Sequence, residues 1–214
     1  MLTCDPSEAI QRLIDKNIMP NLESSPEASI DSNDFRRTRL YTENVDQVLK
    51  ANLKMLKTLF KGACKQKRGS REKRMSVEEY NRLLATLDLF DEDFTKREGT
   101  LTFRWSQMSV SDEVRNVLEY RTILFTDFME ALGRVADLKS FPTREEIAAF
   151  NEDDTNSNYG ILDYLFDITV SRKGDAYPDR QSQELSAPKT QPLAYKLECL
   201  LAVIGQRAFK KRLI

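Results

Sequence analysis

The sequence predicts an all-α protein, and three observations lead to that fold class. Apolar residues recur at intervals of three and four rather than two, which is the spacing of one helix face. Glycine and proline number only seven each in 214 residues, so few positions interrupt a helix. A six-residue pattern also occurs twice, each time at the start of an amphipathic segment. We expect five consecutive segments: 1–35, 36–140, 141–170, 171–192 and 193–214.

The first segment, 1–35, is predicted to be an N-terminal arm with one short helix over 5–17. Asp5 is a suitable N-cap, and Pro6 occupies the first helical position, where its missing N–H has no cost. Three apolar side chains would share one face of this helix: Ile10, Leu13 and Ile14. Residues 19–34, rich in serine, proline and acidic side chains, are predicted to be a linker.

The second segment, 36–140, is predicted to be the helical domain that holds the core. The predicted helices span 44–67, 76–89, 95–108 and 126–138. The first has an apolar stripe made of Val45, Val48, Leu49, Leu53, Leu56, Leu59 and Phe60. Ser76 and Glu79 have the spacing of a capping box at the start of the second helix. Thr95 and Glu98 have the same spacing at the start of the third.

The remaining segments are a predicted helix-loop-helix over 141–170, a linker over 171–192 and a C-terminal helix over 193–211. The apolar stripe of this last helix consists of Leu193, Leu197, Leu200, Leu201, Ile204 and Phe209. Two contacts are open for it: it fills a groove of its own domain, or it docks on another subunit. In the second case the candidate partner-binding residues are Leu197, Leu201 and Ile204.

The repeated pattern consists of "MSVEEY", Met75–Tyr80, and "ILFTDF", Ile123–Phe128. In each, an apolar residue is followed by another two places later, by an acidic residue at the fifth place and by an aromatic at the sixth. This resembles the second half of an EF-hand, in which the eighth loop residue pairs with its twin in a short β-bridge and the twelfth is acidic. The resemblance implies paired EF-hand-like units in which Met75 lies opposite Ile123.

Both loops lack the ligands with which an EF-hand binds calcium. The twelfth positions would be Glu79 and Asp127. The first, third and fifth positions would be Arg68, Ser70 and Glu72 in one loop and Asn116, Leu118 and Tyr120 in the other. Calcium takes about 6–8 oxygen ligands, several of them anionic. We therefore expect degenerate loops without calcium, and the capping box alone also accounts for Glu79.

The helices and the repeat also resemble an EF-hand-like module in proteins of protist cilia and flagella. The stretches that carry the resemblance are "RRTRLYTENVDQVLKANLKMLKTLF", "MSVEEYNRLLATLDLFDEDFTKREGTLTFRWSQMSVSDE" and "ILFTDFMEALGRVADLKSFPT". They cover about half of the chain. The resemblance implies a structural or adaptor subunit of the ciliary or flagellar axoneme, with tubulin or other axonemal proteins as partners.

The stretch "DDTNSNYGILDYL", over 153–165, has part of a calcium-loop pattern. The first, third, fifth and eighth positions are Asp154, Asn156, Asn158 and Ile161. Leu165 stands at the twelfth position, where a calcium loop has a bidentate glutamate, and Asp163 could supply an oxygen only in an unusual geometry. The sequence predicts a polar turn here rather than a metal site, with a calcium-responsive sensor as the alternative function.

The segment 61–74 is strongly basic. Its basic residues are Lys61, Lys65, Lys67, Arg68, Arg71, Lys73 and Arg74, against one acidic residue, Glu72. Such a run predicts contact with an acidic partner, and the acidic tubulin lattice fits the ciliary resemblance. Nucleic acid is not expected, because aromatic residues do not interleave the run and it matches no base-reading motif. The alternative is a solvated loop.

Trp105 is a further candidate for partner binding. Together with Leu101, Phe103 and Met108 it is predicted to lie on a helix at core-like spacing and to pack between the repeated units. A hydrophobic groove between paired EF-hands is also where such folds take a partner helix.

The composition argues against an enzyme. The chain has no histidine, which excludes imidazole zinc ligands and histidine-activated nucleophiles. Its three cysteines are far apart and odd in number, which predicts a reduced cytoplasmic compartment. No apolar run approaches the roughly 18 residues of a membrane span, and the first residues do not read as a secretory signal, so no membrane contact is expected.

Overall fold

The computed structural model describes residues 5–24, 32–65, 72–91, 94–153 and 189–214, and the predicted all-α class is confirmed. The helices are α1 (Pro6–Leu13), α2 (Met19–Ser24), α3 (Ser32–Phe35), α4 (Glu43–Ala51), α5 (Leu53–Ala63), α6 (Val77–Thr86), α7 (Lys96–Ser106), α8 (Val117–Arg121), α9 (Phe125–Leu138), α10 (Arg144–Asp153) and α11 (Leu193–Lys210). Two π-helical turns span Ile14–Ile18 and Arg36–Leu40, and two short strands are β1 (Met75–Ser76) and β2 (Thr122–Ile123). The predicted helix over 161–170 and residues 171–188 of the predicted linker lie outside the described residues.

The N-terminal helix is longer than predicted. Asp5 caps it by accepting a hydrogen bond from the Ser7 amide, and the helix then continues through the π-helical turn into α2. The turn precedes Pro20, which has no N–H and therefore cannot donate to the carbonyl four residues earlier. Within the turn, the Met19 amide donates to the carbonyl of Ile14, five residues earlier. The prediction of a linker over 19–34 is therefore wrong for α2 and α3. In α2, the π-helical turn accommodates Pro20 without ending the helix.

The long predicted helix over 44–67 is two helices, α4 and α5. Asn52 lies between them, and its side-chain amide donates to the carbonyl of Val48 at 2.9 Å. This local bond competes with regular helical bonding, which is why asparagine disfavours helix interiors. The second helix ends earlier than predicted, at Ala63.

The two repeated segments meet in the predicted bridge. β1 and β2 pair antiparallel, with Met75 opposite Ile123 and Ser76 opposite Thr122. The aromatic residues at the sixth places also meet, because the rings of Tyr80 and Phe128 lie 6.4 Å apart and both side chains are fully buried. The repeat thus marks the centre of the core.

The C-terminal helix, α11, closes the core from one side. It packs against α9 and α4, and its apolar stripe is buried except at Phe209, which is 75% exposed. The buried members include Leu197, Leu201 and Ile204. Those three side chains were candidates for binding another subunit; that assignment is corrected, because their own domain covers them. At its end, Arg207 and Lys211 donate to the last carbonyls of α6, at Leu87 and Thr86 respectively.

Candidate functional site

The bridge between β1 and β2 places the two loops of the repeat side by side, where an EF-hand pair would hold metal. Glu79 instead accepts hydrogen bonds from the amides of Ser76 and Lys65, at 2.9 and 2.8 Å. Asp127 accepts one from the amide of Leu124 at 2.9 Å. Both acidic side chains therefore cap the N-termini of the helices that contain them, α6 and α9, and the predicted capping box at Ser76 is confirmed.

The environment of Asp127 also changes its ionisation. Burial raises the pKa of this half-buried carboxyl above its ordinary value, against the opposing bond from the Leu124 amide. Among the residues that the structure describes, no three His, Cys, Asp or Glu side chains gather closely enough to hold a metal ion. The candidate calcium-loop residues fall outside the described ranges: Asp154, Asn156, Asn158 and Asp163.

The same loop end presents lysines to solvent. Lys61, Lys65 and Lys73 are exposed, and we call these three the basic surface. The Lys73 ammonium donates to the carbonyl of Lys61 at 2.9 Å, which joins the end of α5 to the approach to β1. The remaining predicted members of the run, Lys67, Arg68 and Arg71, lie outside the described residues.

Arg74 belongs to the predicted basic run but differs from the basic surface. Its side chain is only 19% exposed and pairs with Glu72 at 3.1 Å and with Glu119 at 3.9 Å. The second pair reaches α8, in the connector of the other repeated unit. Arg74 therefore joins the two loops, and its charge is largely balanced within the chain, so we correct its assignment as a partner contact.

The prediction for Trp105 holds only in part. Phe103 is fully buried, whereas Trp105 is half-buried and Met108 is exposed. Residues two apart on an α-helix differ by about 200° in direction, so Phe103 and Trp105 cannot share the core-facing side of α7. Trp105 lies outside the buried hydrophobic cluster, and its carbonyl accepts a hydrogen bond from Arg36 at 3.3 Å.

An open groove that the sequence did not predict runs between α4, α10 and α11, and we call it the α4–α11 groove. Its main cavity has a volume of about 840 Å³, and a second cavity of about 310 Å³ continues along α11. The apolar lining is formed by Val48, Ala51, Ile147, Pro192, Ala194, Tyr195, Cys199 and Ala202. Tyr195 stabilises one edge, since its hydroxyl donates to the Pro142 carbonyl and its ring packs under the Arg144 guanidinium.

The sequence also did not predict a buried ionic network. Glu130 on α9 accepts from Arg36 Nε at 2.9 Å and from Arg134 Nη2 at 2.7 Å, and all three residues are buried. Arg36 also donates to the last carbonyls of α7. The network ties the π-helical turn of Arg36–Leu40 to α7 and α9. No pattern in the sequence marks Arg36 as buried, because its partner Glu130 lies 94 residues away.

Lys196 is a further buried cation, with 3% of its surface exposed and its ammonium donating to the Asp137 carbonyl at 2.6 Å. Burial lowers its pKa to about 8, against the opposing attraction of Asp137. The unfolded chain therefore binds more protons than the folded chain above pH 8 and up to the ordinary lysine pKa of about 10.4. In this window, stability rises with pH; below it, the cost of burying the charge is fully present.

Because of this cost, we expect the free energy of unfolding to depend on pH differently in the wild type and in the Lys196→Met variant. Between pH 8 and 10, the wild type should gain about 2–3 kcal/mol in free energy of unfolding relative to the variant, which has no charge to lose. Urea unfolding of both proteins at several pH values measures the difference, and other titrating groups cancel in the subtraction. Parallel stability curves would show that the pKa of Lys196 in the folded chain is close to that of a solvated lysine, and would contradict the cost that we assign to its burial.

No protein-family model, no curated protein and no solved structure matches this chain.

Proposed function

We propose that this protein is a non-catalytic adaptor with a paired EF-hand-like core that works without calcium. The observation that carries the proposal is the arrangement of charged side chains beside the bridge between β1 and β2. There, the acidic residues Glu79 and Asp127 bond to backbone amides, while the lysines of the basic surface face solvent. An EF-hand that binds calcium has the opposite arrangement, with carboxylates converging on a cation.

The partner that we propose is the acidic surface of tubulin or of another axonemal protein, in a cilium or flagellum. The ciliary assignment rests on the sequence resemblance over 36–143, and the charge of the basic surface supports it. Positive side chains on one side of a loop pair attract an acidic lattice and fix the orientation of the bound protein. Within the described ranges, no helix combines the length and apolar character needed to cross a membrane.

Charge reversal on the basic surface is expected to weaken binding to microtubules. The triple variant Lys61→Glu, Lys65→Glu, Lys73→Glu should bind at least about tenfold more weakly in co-sedimentation, because three attractive contacts become repulsive. Added salt should weaken the wild type, since exposed charges are screened over about 8–10 Å at ordinary ionic strength. The matched control is the triple variant Lys16→Glu, Lys54→Glu, Lys96→Glu. It changes the net charge by the same amount at exposed lysines outside the basic surface.

The controls separate the proposal from simple charge attraction. Equal loss of binding in the two triple variants would show that net charge, not this surface, governs attachment. Binding that is insensitive to salt would contradict the proposal. The calcium-sensor alternative is decided by calorimetry: a micromolar calcium signal that Asp154→Ala abolishes would replace our proposal.

A further inference from the structure

The continuous N-terminal helix, Pro6–Ser24, has an uncovered apolar face, and we call it the arm helix. None of the described side chains from Asp5 to Leu22 is buried. Ile10 is 58% exposed, Ile18 42% and Leu22 46%, and Leu13 lies beside them at 52%. Helices on the surface of a domain normally bury such a face against another element. Among the residues that the structure describes, no element covers this face of the arm helix.

The π-helical turn improves this face as a docking ridge. In a regular α-helix, residues four apart drift by about 40°, so Ile10 and Leu22 would differ by about 120°. The π-helical turn holds about 4.4 residues per turn, so four residues complete slightly less than one turn. Between Ile14 and Ile18 the direction of the side chains therefore rotates back, opposite to the drift in the α-helical parts. The four side chains at 10, 14, 18 and 22 then lie within about 50°. The ridge that results is straight and about 18 Å long.

The α4–α11 groove matches this ridge in length, and its lining combines the apolar side chains with polar ones, among them Gln47, Arg144 and Glu198. Its floor follows α11 from Pro192 to Ala202, which is about 15 Å along the helix axis. α4 forms one wall and α10 the other. An apolar floor between two helical walls is the arrangement that receives an amphipathic helix.

The arm helix is also attached close to the groove. Arg39 donates to the carbonyl of Gln191 at 2.9 Å, and Gln191 lines the groove. Seven residues, 25–31, separate the arm helix from α3 in the sequence, and a chain of seven residues spans at most about 25 Å. That length allows the arm helix to reach a neighbouring molecule.

We propose that two copies of this chain associate by exchanging arm helices, each helix seating its ridge in the α4–α11 groove of the other copy. One chain carries both an uncovered ridge and an open groove, so its surface is self-complementary. Reciprocal exchange has twofold symmetry and covers both ridges and both grooves. A third copy therefore finds no free ridge or groove, and the assembly ends at the dimer. The proposal does not depend on the proposed partner or location.

Sedimentation of the full chain tests the association. The wild type should sediment over a wide concentration range as a species of twice 24.8 kDa. The variant Ile14→Asp, Ile18→Asp should associate at least about a hundredfold more weakly, because two carboxylates would have to leave water for an apolar groove. Lys16→Asp on the opposite face of the same helix is the matched control and should leave the dimer intact. A monomeric wild type, or a double variant that dimerises as well as the wild type, overturns the proposal.

Disulfide trapping identifies the occupant of the groove. One copy carries Ile18→Cys, a differently tagged copy carries Ala51→Cys in the groove wall, and both carry Cys4→Ser and Cys199→Ser, because Cys199 also lines the groove. Oxidation of the mixture should yield the disulfide between the two different copies. A chain that carries both substitutions and forms the bond only within itself would show that the arm helix covers its own groove, and this outcome overturns exchange between copies.

Discussion

Replacing Glu130 with glutamine is expected to lower the free energy of unfolding by about 3–5 kcal/mol. The carboxylate is the shared acceptor for Arg36 and Arg134, and the side chains of these residues are 5–10% exposed. Glutamine has nearly the same shape but no charge, so the two buried guanidinium groups would lose the carboxylate that they share. Urea unfolding followed by circular dichroism and by the fluorescence of Trp105, next to this network, measures the loss.

The chain contains a matched control for this prediction. Glu8 and Arg12 are also four residues apart on a helix, with an Nη2–Oε1 distance of 2.6 Å against 2.7 Å for Glu130 and Arg134. Their side chains, however, are 55% and 62% exposed. Glu8→Gln should therefore cost no more than about 0.5 kcal/mol. Equal effects of the two substitutions would contradict the role that we assign to burial.

Replacing Phe128 with alanine is expected to destabilise the protein by a similar amount, about 3–5 kcal/mol. The ring is fully buried and lies 5.4 Å from Phe60 and 6.4 Å from both Tyr80 and Phe125, measured between centroids. Alanine removes these contacts and leaves a cavity between the two repeated units. The midpoint of urea unfolding reports the change.

Two further variants test whether the loss of stability in Phe128→Ala comes from the loss of buried apolar volume. Phe128→Leu keeps most of the apolar volume and should cost clearly less, about 1–2 kcal/mol. Phe209→Ala removes the same ring from a position that is 75% exposed and should leave stability within about 0.5 kcal/mol of the wild type. A loss at Phe209 comparable to that at Phe128 would show that the aromatic cluster is not the centre of the core.

Several features of the candidate site were predicted from the sequence, because they depend on residues close together in the chain. The capping boxes at Ser76 and Thr95 form as their spacing predicts. The repeat correctly placed Met75 opposite Ile123. The exposed lysines of the basic surface also follow from a short charged run.

Other features could not be predicted in this way. Spacing alone suggested that Trp105 packs with Phe103, but helix α7 points them in different directions. The apolar stripe of α11 was equally suited to its own domain and to another subunit. The α4–α11 groove is formed by segments far apart in the sequence, and no local pattern marks its walls.

By itself, the sequence determined the all-α class, the position of the repeat and the caps of its helices. These features depend on backbone hydrogen bonding and on helical periodicity, both of which act within a few residues. Only the tertiary structure decided which charges are buried and which apolar faces are covered. Arg36 meets Glu130 across 94 residues, and α11 covers its stripe while the arm helix leaves its own exposed. Burial depends on what packs from a distant part of the chain, and neither composition nor spacing contains that information.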